Sequence, residues 1–400
     1  MSIFYSTFAV VKVDKESMDW SFLIKEKDAI NVTTDSRKVV PGCVFVALKG
    51  EHFDGNAFVE QAQKDGAAYI ISGENALTEL QDLARAWRRE LGLPILGITG
   101  TNGKTTTKEL CAAVLSTKYN LYYTQGNLNN QLGVPLTLLS IARAHEMAIV
   151  EMGASHPGDI QELVEIAEPN YGIITNVGRA HLQGFGSFEG VMRTKAELYE
   201  YLRAHGGFCF RNTDNPYLAQ MAGDLQTVPY QTGTMPEGTH LVGAYNAENV
   251  SAALCVGRYF GVSEEAALTA IRAYVPSNNR SQRMQTAHNT LIVDAYNANP
   301  TSMTAAINAF QGDTYILGGM RELGEYSHLE HQNIVNMLLE RKADTVLLVG
   351  DEYTQTTAPY PIFADVEALC AYLQEHPLEG HTILLKGSRG NQMEKAIPYL

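Results

Sequence analysis

Four hundred residues exceed what one hydrophobic core comfortably fills, so two or three domains are expected. With 45% hydrophobic and 18% charged residues, the composition is that of an ordinary globular chain and excludes a disordered or fibrous one. A net charge of −14 and the lack of any Lys/Arg block exclude nucleic acid as an expected partner, so an anionic ligand must be held by local loops.

Five cysteines, Cys43, Cys111, Cys209, Cys255 and Cys370, are odd in number and lack C-x-x-C spacing, which suits reduced thiols and no structural zinc. The opening MSIFYSTFAVVKVDK has a short apolar run but neither a basic leader nor a clear small-residue cleavage site. No apolar stretch approaches the ~18 residues of a membrane span. A cytoplasmic protein without a transmembrane segment is expected.

In chain order, three segments emerge. Up to residue 92 the strand candidates CVFVAL and AAYIIS precede the helical LTELQDLARAWRREL, whose Leu80, Leu83, Ala84 and Trp87 share one face. LGLP at 91–94 reads as a linker. From residue 93 the pattern is strand, glycine loop, helix: ILGIT into the first loop, MAIVEMG into ASHPGD, and YGIITNVG into RAHLQGFGS. Apolar runs without alternation that end in glycine mark buried parallel strands, so an α/β domain is expected to 287 with its loops at the strands' carboxyl ends. From 288 the theme returns in TLIVDAYNANP, DTYILGGM, DTVLLVG and HTILLKGSRG, a smaller doubly wound domain.

The loop GITGTNGKTT at 97–106 lies between strand ILGIT and helix TTTKELCAAVLST. A strict G-x-x-x-x-G-K-[ST] consensus would place glycine at 98, where Ile98 stands. The placement is still that of a phosphate loop, with backbone N–H groups converging at a helix N-terminus. Lys104 would then reach the β and γ phosphates and the Thr105 hydroxyl would ligate Mg²⁺. Glu151 ends a strand beside this loop, where a carboxylate can hold Mg²⁺. Asn246 and Asn249, three apart on a helix, present amides on one face that can read an adenine edge.

The form T-G-T-N-G-K-T-T resembles the ATP loop of the Mur ligase family, the amide-forming enzymes of peptidoglycan precursor synthesis. VEMGASHPGDI, TNVGRAHLQGFGS, RTKAELY, GAYNAENVSAA, NNRSQ and DAYNANPTSM then follow in family order. The resemblance implies a small N-terminal α/β uridine-nucleotide-binding domain (1–92), a central P-loop-type ATPase domain with a mainly parallel sheet (93–287) and a C-terminal Rossmann-like α/β domain (288–400). It implies ATP held by Gly100, Thr101, Asn102, Gly103, Lys104, Thr105, Thr106, Asn246, Asn249, Arg280 and Asp294. It also implies catalytic roles for Lys104, Glu151, His181 and Lys195. Two Mg²⁺ ions would lie on Thr105, Glu151, His181 and Lys195, the last as a carbamate formed with CO₂. Tyr245 stands where the family usually has His.

TTDSRKVVPGCVFVALKGEHFDGNAFVEQAQKDGA resembles the uridine-nucleotide domain of the later ligases. That implies substrate contacts at Ser36, Arg37, Lys49, Gly50, Asp54 and Gly55, with Asn56 replacing the usual His. Asn127 and Asn130 in TQGNLNNQLGVP resemble the family's substrate loop. DAYNANPTSM resembles the members that add D-alanyl-D-alanine to UDP-MurNAc-tripeptide, whereas the preceding ligase shows D-Y-A-H-x-P and Asp-Asn-Pro-Arg. TDNPYL at 213–218 has Asp-Asn-Pro without Arg and is read as a chance loop. The implied partners are UDP-MurNAc-tripeptide and D-alanyl-D-alanine, and the expected state is a monomer. Another Mur-type or folylpolyglutamate-type ligase and a non-catalytic nucleotide-binding module are the competing readings. The folylpolyglutamate relatives begin directly with the ATP domain, which the DSR segment argues against.

Overall fold

The computed structural model describes residues 20–400 except Ala244, Asn278 and the side chain of Glu26. The N-terminal MSIFYSTFAVVKVDK run lies outside the described residues, as do Ala244 of GAYNAENVSAA and Asn278 of NNRSQ.

Among the described residues there are three sheets, one for each expected segment. The first is small and parallel, in the order Val32–Thr33, Val44–Val46, Tyr69–Ile71. The expected helix spans Ala76–Leu91, with Leu80, Leu83, Ala84 and Trp87 all fully buried, and Gly92 ends it at φ +62°. The LGLP stretch is therefore a tight turn into the strand Ile95–Thr99, with no free tether between the two bodies. The helix faces both ways. Trp87 donates its indole N–H to Ile141 O at 2.9 Å, and Arg88 donates to Ala167 O and Glu168 O, each at 3.0 Å. One apolar cluster runs from Trp20 through Trp87 to Leu225, so the N-terminal body and the central body share a core.

The central sheet is parallel throughout, in the order Leu121–Tyr123, Met147–Glu151, Ile95–Thr99, Tyr171–Ile174, Phe208–Asn212, Thr227–Tyr230. Ile95–Thr99 and Met147–Glu151 are buried at every position, as the unbroken apolar runs predict for strands covered on both faces. Because the strands are parallel, their carboxyl ends gather the Gly100 loop, Glu151 and the segment after Ile174 at one edge. Asn215 of the TDNPYL stretch accepts from Tyr217 N and caps the helix Pro216–Ala222, while Asp214 Oδ2 accepts from Thr232 N at 2.8 Å and ties the stretch to the chain beyond the edge strand.

The third sheet orders Gln282–Gln285, Thr290–Asp294, Thr382–Lys386, Thr314–Gly318, Thr345–Val349, Ile362–Phe363. It begins upstream of residue 288, since Gln282–Gln285 joins it as an antiparallel edge. This strand reads Gln-Arg-Met-Gln and alternates half-buried with exposed positions, so no apolar run announces it. No helix among the described residues is long and apolar enough to cross a membrane.

Candidate active site

The question raised by Ile98 is answered by the backbone. Ile98 is fully buried inside the strand, and the glycine requirement falls two residues later. Gly100 has φ +141°, and a Cβ there would lie 2.0 Å from Thr175 Oγ1. Gly103 has φ +77° and ends the loop where the helix Lys104–Leu115 starts; a Cβ would meet Asn249 Oδ1 at 2.4 Å. Both positions need a residue without a side chain.

Lys104 folds back over the loop and donates to Gly100 O at 2.8 Å and Thr101 O at 3.0 Å. Burial lowers its pKa to about 8, with the nearby Arg280 charge adding to that and Glu151 opposing it. Its ammonium is thus held at the loop without a full complement of water, ready for an anion.

Glu151 is buried at the carboxyl end of its strand. Its Oε1 accepts from Thr105 Oγ1 at 3.2 Å and from Asn129 Nδ2 at 2.9 Å. Its Oε2 has no hydrogen bond, although the Lys108 ammonium, also buried, lies 3.4 Å away as an ion pair. A hydroxyl and a buried carboxylate oxygen with spare capacity form a hard, oxygen-rich donor set. That suits Mg²⁺, which takes one or two protein ligands and completes its shell with water and substrate phosphates. No group of three or more His, Cys, Asp or Glu side chains forms an all-protein metal cage among the described residues.

His181 sits in a left-handed turn at φ +49°, and its Nδ1 meets the carboxylate of Glu322 from the third body. Burial lowers its pKa, against the pull of Glu322. Lys195 lies in the helix Phe188–Ala204, opened as expected by Ser187 accepting from Gly190 N. It is buried with its ammonium 5.4 Å from the Phe185 ring centroid. Burial and then the Lys104 charge push its pKa well below the usual lysine range. Such a lysine readily presents a neutral amine.

The helix Asn246–Tyr259 places both predicted amides against the loop. Asn249 accepts from Thr107 Oγ1 at 3.0 Å and donates to Asn246 Oδ1 at 2.9 Å, while Asn246 donates to Val242 O at 2.7 Å. Tyr245 meets Ser281 Oγ at 2.5 Å, and its pKa is raised by burial and then by the Asp294 charge. From the third body, Asp294 pairs at 2.6 Å with buried Lys386, its register partner on the adjacent parallel strand. Arg280 stacks 3.7 Å from the centroid of the Tyr296 ring.

These groups line one cavity of about 660 Å³ between the central and third bodies. Thr101, Asn102, Gly103, Lys104, Thr105, Thr106, Glu151, His181, Asn246, Asn249, Arg280 and Asp294 all face it. Gly100 shapes the loop from behind, and Lys195 is buried outside the lining. Asn130 reaches the cavity, and its Oδ1 also accepts from Gly133 N at 2.9 Å just before the helix Gly133–Leu139. Asn127 is exposed and outside the lining; its neighbour Asn129 makes the contact to Glu151.

Ser36, Arg37, Lys49, Gly50, Asp54 and Gly55 belong to the N-terminal body and are absent from the cavity wall. Arg37 is held by two hydrogen bonds to Asp35, at 2.8 and 2.9 Å, which pulls the Asp35 carboxyl down to about 2. Asp54 accepts from Asn56 N and Nδ2, and Gly55 approaches Leu48 O too closely for a side chain. Lys108, Asn129, Glu322 and Lys386 were not anticipated. Lys108 was findable, one helical turn after Lys104; the others depend on tertiary placement.

Residues 30–113 match the Mur ligase family catalytic domain, 98–239 the Mur ligase middle domain, and 279–389 the Mur ligase glutamate ligase domain. A Bacillus subtilis (strain 168) protein named UDP-N-acetylmuramoyl-tripeptide–D-alanyl-D-alanine ligase is 34% identical, with 92% of each chain covered. The crystal structure of a Thermotoga maritima MurF ligase in complex with ADP aligns with a TM-score of 0.82 at 27% identity, covering 93% of this chain and 97% of that one. MurF from Acinetobacter baumannii aligns at 0.81 and 29% identity over 92% of each chain. Because the likeness runs through all three bodies and extends well beyond the nucleotide loop, the chain belongs to the Mur ligase family.

Proposed function

We propose that the chain is an ATP-dependent amide ligase that adds D-alanyl-D-alanine to UDP-MurNAc-tripeptide. The products are UDP-MurNAc-pentapeptide, ADP and phosphate, and the intermediate is an acyl phosphate. The observation that carries this reading is the shared cavity, walled on one side by a phosphate loop and on the other by the third body's DAYNANPTSM segment. The relatives' names and the ADP-bound neighbour support the substrate assignment.

In this reading Lys104 turns from the loop carbonyls to the ATP phosphates, and the loop N–H groups hold their oxygens. Asn246 and Asn249 fix the helix against the loop and edge the adenine. Thr105 and Glu151 would hold Mg²⁺, with His181 and, as a carbamate, Lys195 extending the set to a second ion. Divalent charge held there would reduce the repulsion between the two reacting anions and stabilise charge on the transferring phosphoryl. The third body covers the site with Arg280 and Asp294, which keeps water from the acyl phosphate. Ser36, Arg37, Lys49, Gly50, Asp54 and Gly55 hold the uridine end, and Asn130 with Asn129 orients the acyl end.

With no other nucleophile added, phosphate release should require ATP, UDP-MurNAc-tripeptide and D-alanyl-D-alanine together. Release with a folate acceptor, or with no acceptor, would overturn the assignment.

A further inference from the structure

The second half-reaction brings a positively charged group into a cavity that already holds cations. Lys104, Arg280 and Lys386 line its wall, and buried Lys108 and Lys195 lie outside the lining. A dipeptide arrives at neutral pH as an ammonium ion, so something must offer it negative charge.

Five carboxylates line the cavity: Glu151, Asp159, Glu248, Asp294 and Glu322. Three are committed. Glu151 is held by Thr105, Asn129 and Lys108. Asp159 accepts from Ser155 N at 2.8 Å and His156 N at 2.9 Å, holding the turn that leads into its own helix. Asp294 is neutralised by Lys386 at 2.6 Å. Glu248 lies in the first turn of the helix that carries Asn246 and Asn249, the two amides assigned above to the adenine. Glu322 differs from all of these. Among the described residues its one side-chain partner is His181, and the Glu322 side chain keeps 56% of its surface open.

The loop carrying Glu322 is built to aim it. Met320 N donates to His331 Nε2 at 2.9 Å, and His331, fully buried, engages Ser327 O through Nδ1 at 2.7 Å. The Glu322 carbonyl accepts from Gln183 N at 3.2 Å across the domain boundary. Glu322 itself takes φ +61°, a conformation that ordinary residues hold only when their surroundings fix it.

We infer that Glu322 is the docking carboxylate for the ammonium group of the incoming dipeptide, placing its nitrogen beside His181 and the acyl end. This rests on the ligase reading above. It makes Glu322 a substrate-binding residue supplied by the third body, so that amine binding and closure of that body on the site are one event.

The test uses the full-length enzyme with ATP, UDP-MurNAc-tripeptide and either D-alanyl-D-alanine or hydroxylamine, an uncharged nucleophile that traps acyl phosphates as hydroxamates. E322Q should raise KM for the dipeptide about 10- to 100-fold, the scale of a lost charged hydrogen bond, and leave KM for ATP within about twofold. Hydroxamate formation should stay near the wild-type rate, and E322D should recover part of the dipeptide affinity. Parallel loss of ligation and hydroxamate formation in a folded E322Q would show that Glu322 acts through His181 on the first half-reaction, and an unchanged dipeptide KM would show no docking role. Either result overturns the inference. Absence of hydroxamate with the wild-type enzyme would instead overturn the ligase reading, and the docking role with it.

Discussion

Asn102 of the phosphate loop and Asn299 of the third body face each other amide to amide. Asn299 Nδ2 donates to Asn102 Oδ1 at 2.8 Å, and Asn102 Nδ2 returns a longer contact to Asn299 Oδ1 at 3.4 Å. The same Asn299 oxygen caps the helix Pro300–Ala309 by accepting from Ser302 N at 2.9 Å. One side chain thus ties the start of a helix to the nucleotide loop of another domain.

Replacing Asn299 separates the two jobs. Asn299→Asp keeps the cap but cannot donate to Asn102, so thermal stability should stay near wild type while kcat falls. Asn299→Ala should lose the cap as well, a further cost of ~1 kcal/mol in denaturant melts. Equal kcat for Asn299→Asp and wild type would show that the interdomain amide contact is incidental.

Lys108→Met leaves the Glu151 carboxylate buried without its counter-charge. Breaking a buried pair from one side costs roughly 3–5 kcal/mol, which chemical denaturation would detect. Mg²⁺ should partly restore stability by replacing the missing positive charge. A melt unchanged in either condition would contradict this pairing.

Lys104 predicts the pH dependence of ATP binding. Its pKa of about 8 in the free enzyme is depressed by burial, so above that pH the loop carries a neutral amine. Phosphate charge beside it favours the ammonium, so binding near pH 8–9 should take up a proton and affinity should fall as pH rises through about 8. Calorimetry in buffers of different ionisation heat measures the sign, and Lys104→Met should abolish the uptake. Proton release on binding would show that Lys104 is not the group involved.

Lys195→Arg conserves charge but cannot form a carbamate. It should be nearly inactive, and wild-type enzyme stripped of CO₂ should regain activity on adding bicarbonate. Near-normal kcat in the arginine variant would remove Lys195 from the proposed metal set.

Arg37→Ala acts far from the cavity wall. The Arg37–Asp35 pair is exposed, so stability should barely change, and the effect should be a higher KM for the UDP-peptide at constant kcat. A large fall in kcat at saturating substrate would contradict a binding role.

The parallel strands were legible because Ile95–Thr99 and Met147–Glu151 are continuous apolar runs, and the phosphate loop because Lys104 and Thr105 follow glycine at a helix start. The strand Gln282–Gln285 was hidden because an edge strand with polar side chains has no burial signature. Glu322 was hidden for another reason. It meets His181 across 141 positions of chain, and no local pattern encodes which loop of one domain reaches the turn of another. Asn129 lies between the two expected asparagines, Asn127 and Asn130, and in a run of Asn-Leu-Asn-Asn only the backbone turn decides which amide points at Glu151.

The short helix Leu182–Phe185 has an allegiance at odds with its place in the chain. Leu182 and Phe185 share one apolar cluster with Met320, Leu323, Ile334 and other residues of the third body. If that body swings away, it must either leave these two side chains in water, at roughly 1.5–3 kcal/mol each, or draw the helix along with it. In the second case His181, the residue just before the helix, leaves the phosphate loop at the same moment. In that second case the arrangement would be an interlock: undocking the third body would also carry His181 out of the cavity it lines.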